Sequence, residues 1–279
     1  MEASRVERFV EHMLPAVIRA AGRARALEGQ VRNVPKIDEA SPEKQALTRA
    51  DLETQEIVLE TLFEAYPDVA LAAEEATETA ERFAAQADAC VVVDPIDGTL
   101  WSYLEGQGPY SVVVGLAVDA IYRAGVVALP REGVAFDGTL DTGAFVTRPA
   151  RKRRPVRATA DSRRVLLSNG IDEAAAEVLR RRDYEVMRAS GGAVSVAPLI
   201  DGVCAGLRHS DNDGGISIRG RVGVVIARAA GALVSAGEGA DFPRDMETFA
   251  PDLLIAANPA DLEVLEEARA AIRTTSRSA

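Results

Sequence analysis

With 279 residues, 47% of them hydrophobic, the chain is long enough to bury a full core as one unit or as two adjoining lobes. A formal net charge of −11 excludes a nucleic-acid backbone as the main partner, because that surface demands an excess of Lys and Arg. No stretch has the length and apolarity of a membrane span, and the amphipathic N-terminus lacks the basic-then-apolar order of a secretory signal. The two cysteines, Cys90 and Cys204, lie in apolar settings without metal-ligand spacing, so buried reduced thiols in a cytoplasmic protein are expected.

Val6, Phe9, Val10, Met13, Leu14, Val17 and Ile18 recur at helical spacing and predict an amphipathic first helix. Asn33 to Pro42 reads as loop, and a second helix is predicted from about Asp51 to Ala65, capped by Thr48 or Asp51. The run Cys90-Val91-Val92-Val93 predicts a buried strand, and strands and turns dominate to about Thr147. The basic run Arg151 to Arg157 has no interleaved aromatic and reads as a solvated connection between lobes. A strand over Arg164–Ser168, a helix over Ile171–Arg182 and a strand over Tyr184–Met187 follow, and Ser190-Gly191-Gly192-Ala193 opens an apolar helix to about Ile200. This alternation predicts a second α/β lobe, giving an N-terminal unit over 1–150 and a C-terminal one over 151–279.

The chemistry concentrates behind the first strand, in Asp94-Pro95-Ile96-Asp97-Gly98-Thr99. A turn there lets Asp94 and Asp97 face one point, with the Ile96 carbonyl as a third oxygen. Oxygen ligation of that kind suits Mg²⁺ or Mn²⁺ and not zinc. Gly98 lets the backbone approach a phosphate and present N–H groups to it. An ordinary strand ending in an Asp-Gly turn needs neither the first Asp nor the Thr.

This hexapeptide resembles the hallmark of the inositol monophosphatase-like family of metal-dependent phosphatases. The family also carries a Glu-Glu pair about 20 residues upstream, matched by Glu74-Glu75, and a Thr-x-x-Asp pattern opening a helix, matched by Thr48-Arg49-Ala50-Asp51. Tyr110–Val118, Gly125–Pro130, Ala229–Val234 and Leu254–Asn258 are weaker landmarks that extend the likeness over nearly the whole chain. The resemblance implies a layered αβαβα sandwich of the α/β class and a homodimer. It also implies two or three Mg²⁺ ions, with Mn²⁺ as an alternative, held by Glu74, Asp94, the Ile96 carbonyl and Asp97. By the same resemblance Thr99 and Glu74 orient the attacking water, with Asp51 supporting them from behind, unless Asp51 is only a helix cap. The Gly98 and Thr99 amides bind phosphate, Gly191-Gly192-Ala193 approaches the substrate's ring hydroxyls, and Lys44, or in competition Lys36, lies near the metals; a plain surface lysine is the simpler reading of both.

One departure is marked. Where the family has a Trp-Asp-x-Ala-Ala-Gly-like motif whose Asp is a metal ligand, this chain has Ile218-Arg219-Gly220-Arg221-Val222-Gly223. Asp213, in the glycine-rich loop after His209, is the expected substitute ligand, with Asp211 next to it. Two other outcomes are that Arg219 supplies the missing charge and binds phosphate, or that a metal and its rate are lost. His209 itself reads as a surface or packing residue. The expected activity is hydrolysis of a small polyol, sugar or nucleotide phosphate. Family substrates include inositol monophosphate, fructose 1,6-bisphosphate, histidinol phosphate and 3′-phosphoadenosine 5′-phosphate, and Arg219 and Arg221 point toward a more anionic one. The alternative is an impaired member that binds a phosphorylated ligand or a protein without hydrolysis; a sugar-binding module without metals leaves the carboxylates unexplained.

Overall fold

The computed structural model describes residues 3–36 and 47–272. The first helix, α1 (Ala3–Leu27), is longer than its clearest periodicity. Its fully buried Phe9, Met13, Val17, Ala20 and Ala24 recur at three- and four-residue intervals on one face. The second helix, α2 (Arg49–Ala65), starts at the N-cap Thr48, whose hydroxyl accepts from the Ala50 amide. Asp51 is not the cap but its reciprocal partner, accepting from the Thr48 amide at 2.8 Å to close a capping box.

Seven strands form the first sheet in chain order: β1 (Ala70–Ala73), β2 (Ala89–Asp97), β3 (Ser111–Val118), β4 (Ile121–Leu129), β5 (Val134–Thr139), β6 (Gly143–Thr147) and β7 (Arg154–Pro155). Among the described residues, the β1–β2 pair of this sheet is parallel and its other strand pairs are antiparallel. The basic run expected as a plain connection thus supplies an edge strand, and Arg153 pairs with the buried Asp137. Six strands form the second sheet: β8 (Arg164–Ser168), β9 (Glu185–Ala189), β10 (Ala205–His209), β11 (Leu233–Gly237), β12 (Ala240–Asp241) and β13 (Asp252–Ala256). Their spatial order is β12-β11-β13-β10-β8-β9, with parallel and antiparallel pairs mixed.

The helices α1 and α2 cover one face of the first sheet. Between the two sheets lie α4 (Gly191–Ser195) and α5 (Ile218–Ala229), while α3 (Glu173–Arg181) and α6 (Pro259–Ala270) cover the far face of the second. The result is a layered αβαβα sandwich of the α/β class. The helix expected to run to Ile200 stops at Ser195, and Ala197–Leu199 forms a separate 3₁₀ turn. Pro198 accounts for the break, since it has no N–H to continue an α-helical ladder. Gly115 and Gly125 face each other across β3 and β4 and accept Val222 of α5; a Cβ on Gly115 would stand 2.6 Å from a Val222 methyl. That close approach carries the start of α5 up to the first sheet. Among the described residues no helix is long and apolar enough to cross a membrane.

Candidate active site

Two features of strand pairing assemble the acidic residues. In the parallel ladder Ala73 pairs with Val93, so the next residues, Glu74 and Asp94, leave the ladder side by side. Strand β2 does not end before Asp94, as the sequence suggested, but runs on to Asp97 through a bulge. Asp94 pairs with Val113 and Asp97 with Ser111, so three steps on one strand oppose two on the other. Residues three apart on a regular strand point to opposite faces; the extra residue returns Asp97 to the side of Asp94. Pro95 fits there because it has no N–H to give to a ladder.

The carboxylate cluster is electrostatically loaded. Asp94 is 5% exposed and its Oδ1 is buried with no hydrogen-bond partner. Burial, then the negative charges of Glu74 and Asp97, push its carboxyl well above the ordinary range, against the opposing pull of Arg219. Asp97 accepts from the Ser111 hydroxyl at 2.9 Å and from the Gly192 amide at 2.6 Å, which joins the first sheet to the start of α4. Gly192 therefore stands at the cluster, with its amide committed to Asp97, and Gly191 and Ala193 flank it in the same buried turn.

Thr99 and Asp51 meet behind this cluster. The Thr99 hydroxyl lies 2.7 Å from the Ile96 carbonyl and 3.0 Å from Asp51 Oδ1, two acceptors for a single proton. Asp51 is fully buried, and its other oxygen accepts from the Thr48 hydroxyl at 2.6 Å. Burial raises its carboxyl to about 7 despite hydrogen bonds from Thr48 and Thr99. Asp51 is thus both a capping-box residue and the partner of Thr99. Gly98 is left-handed, at φ +89°, and a Cβ there would stand 2.7 Å from Cβ of Ser190. A π-helical turn, Thr99–Leu104, begins immediately after it.

Gln55, one turn beyond Asp51 on α2, was not singled out by sequence. Its amide group bonds both ways to the Glu75 backbone, at 2.7 and 3.0 Å, and so fixes the Glu74-Glu75 segment on the helix. Only the four-residue interval from Asp51 could have signalled it. Lys36 is not a free surface lysine: it pairs with the buried Glu75 at 2.6 Å. Lys44 lies outside the described residues.

Arg219, in the first turn of α5, spans the cluster, 3.9 Å from Glu74 and 3.8 Å from Asp94. Asp213 is not brought there. Its loop is tied down by Ser210 N to the Pro251 carbonyl and Ile216 N to the Ala250 carbonyl, which leaves Asp213 exposed with no bond to Glu74, Asp94 or Asp97. Arg221 is not brought to the carboxylate cluster either. It is 3% exposed, and its guanidinium donates to the carbonyls of Ile216, Asp245 and Thr248. The charge pattern alone does not reveal which way an arginine in a first helical turn points.

His209 is held between Asp252 and Asp211, at 2.7 and 2.6 Å. The hydrogen bond to Asp252 leads in raising its pKa above 6.5, with burial opposing and Asp211 adding to the rise. A histidine raised in the folded state stabilises below its unfolded pKa and loses that contribution as pH climbs through the folded value. His209→Gln should therefore cost about 1–2 kcal/mol at pH 6 and clearly less at pH 9, read by urea denaturation. An equal cost at both values contradicts the charged pairing.

Among the described residues no three Asp, Glu, His or Cys side chains stand preassembled as a ligand set for one ion. The donors nevertheless fit a hard cation. They are carboxylate oxygens, one of them buried without a hydrogen-bond partner, in a cluster whose like charges a bound cation would relieve.

Comparison with known proteins places the chain in a family. The model of the inositol monophosphatase family matches residues 10–276, and the chain belongs to that family. An inositol-1-monophosphatase of Synechocystis sp. is 28% identical over 244 residues, which cover 84% of this chain and 80% of that protein. An IMPase of Thermotoga maritima superposes with a TM-score of 0.71 at 16% identity, over 94% of this chain and 98% of its own. The inositol monophosphatase of Anabaena gives 0.67 at 18% identity over 98% and 99% of the two chains. Family membership carries a phosphatase-type function.

Proposed function

We propose that this protein is a Mg²⁺-dependent phosphomonoesterase acting on a small polyol, sugar or nucleotide phosphate. The observation that carries the reading is the buried, unpartnered Asp94 oxygen beside Glu74 and Asp97. Glu74, Asp94, Asp97 and the Ile96 carbonyl would hold Mg²⁺, with Mn²⁺ as an alternative. Bound there, the cation supplies positive charge to the phosphoryl oxygens and acidity to water.

The protein's own groups do the rest. The Gly98 and Thr99 amides receive phosphate oxygens at the left-handed turn, where no Cβ obstructs them. Thr99 Oγ1, next to Glu74's cluster, takes a proton from the attacking water and releases its own to Asp51, 3.0 Å away. Asp51, raised to about 7, is suited to receive a proton near neutrality. Ala193 and its two glycines line the side on which the leaving group departs. Homodimerisation belongs to the same reading and rests on the resemblance alone, while a cytoplasmic location rests on the two free cysteines.

Arg219 takes over one positive charge that the family's pattern assigns to a metal ligand's ion. It stands too far from Glu74 and Asp94 for hydrogen bonds, so it lowers the cluster's negative potential without closing it. Arg219→Ala should therefore lower the Mg²⁺ concentration for half-maximal thermal stabilisation by roughly tenfold. An unchanged Mg²⁺ response contradicts that role. The function itself is tested by phosphate release from a panel of esters with Mg²⁺ and with chelator. Release that requires the metal supports it, and no release from any ester refutes it.

A further inference from the structure

Three arginines gather where α4 and α5 begin, and they differ in what satisfies them. Arg221 is spent on backbone carbonyls, and Arg219 faces Glu74 and Asp94. Arg208, near the end of β10, has neither kind of partner. Its Nη1 is buried with no hydrogen bond, and among the described residues no carboxylate lies in ion-pair range of its guanidinium. The guanidinium lies in a slot between Gly191 of α4 and Gly220 of α5; a Cβ built on either glycine would collide with it. Both walls lead directly to the reactive cluster. Gly192, next to Gly191, donates to Asp97, and Arg219, next to Gly220, spans Glu74 and Asp94.

Buried guanidinium N–H groups are costly to leave unpaired, so a ligand that completes the bonds of this partly buried side chain is favoured. Guanidinium matches oxyanions in a bidentate, planar fashion. We propose that Arg208 binds a second oxyanion, a carboxylate or a phosphate, carried on the leaving-group part of the substrate. The preferred esters would then be those whose alcohol is itself anionic. This rests on the phosphomonoesterase reading above, and it assigns the anion preference to Arg208 in place of Arg221.

Two matched pairs of esters separate the sources of charge: 2-phosphoglycerate against glycerol 2-phosphate, and fructose 1,6-bisphosphate against fructose 1-phosphate. In at least one pair, kcat/KM should favour the anionic ester tenfold or more, which identifies carboxylate or phosphate. Arg208→Gln should reduce that ratio at least tenfold, and Arg208→Lys should restore part of it. Gly220→Ala keeps the cation but fills its slot, and should reduce the ratio too; it serves where Arg208→Gln does not fold. No preference in either pair, or a ratio unmoved in Arg208→Gln and Gly220→Ala, overturns the inference. Should no ester be hydrolysed, calorimetric binding of 2-phosphoglycerate and glycerol 2-phosphate decides. Preference for the first that Arg208→Gln abolishes upholds the inference and sinks the hydrolytic reading. Equal binding of both by the parent protein sinks the inference.

Discussion

Asp94→Asn is expected to stabilise the metal-free protein by about 1–3 kcal/mol while reducing phosphate release at least about a thousandfold. The two effects share one cause. Asp94 is almost wholly buried beside two like charges, and one arginine at 3.8 Å does not compensate for both. Its folded-state pKa is raised, so ionisation works against the fold: the penalty is absent below the ordinary carboxylate value and grows as pH rises above it. The stability gain of Asp94→Asn should accordingly be large at pH 8 in chelator and shrink toward pH 4, as followed by urea denaturation. The same amide is a poor cation ligand, so the variant should also lose its thermal response to Mg²⁺. A variant less stable than the parent in chelator, yet fully active, contradicts this account.

Thr99→Val should lower kcat by roughly a hundred- to a thousandfold and leave the Mg²⁺ thermal response in place. Valine keeps the shape and removes only the hydroxyl that bridges Ile96 and Asp51. The pH profile separates this role from mere packing. If Asp51 must be ionised to accept a proton, parent activity climbs as pH rises toward about 7, or at a lower value with a cation in the cluster. Asp51→Asn should remove that rise along with most of the rate. A Thr99→Val enzyme with unaltered kcat excludes the relay.

The parts of the site legible in the sequence were those written locally. Asp94, Ile96, Asp97, Gly98 and Thr99 are consecutive or nearly so, and one apolar strand suffices to place them. Glu74 follows from a second short strand whose register was not readable but whose spacing was. Hidden were the features created by pairing and by distant anchors. The bulge that brings Asp97 to the side of Asp94 depends on how β3 is laid against β2. Gln55 matters only because the Glu75 backbone lands on it. Asp213 was a reasonable ligand by distance along the chain, but its loop is held by carbonyls of Ala250 and Pro251, nearly 40 residues on. Arg221 departs from its expected role for the same reason, and Arg208 was not singled out by sequence at all. Helix α5 is seated by Val222 against two glycines, and that seating turns Arg221 into the core and leaves Arg208 in the slot. The layered fold itself was implied by the family resemblance; periodicity alone gave two α/β lobes without their order.

The most direct test is a crystal of the protein soaked in MnCl₂ and inorganic phosphate, with the manganese located by its anomalous scattering. The account predicts manganese bound by Glu74, Asp94 and Asp97, phosphate against the Gly98 and Thr99 amides, and none of the metal at Asp213. Manganese absent from those three carboxylates, with Arg219 folded fully onto them, would contradict it.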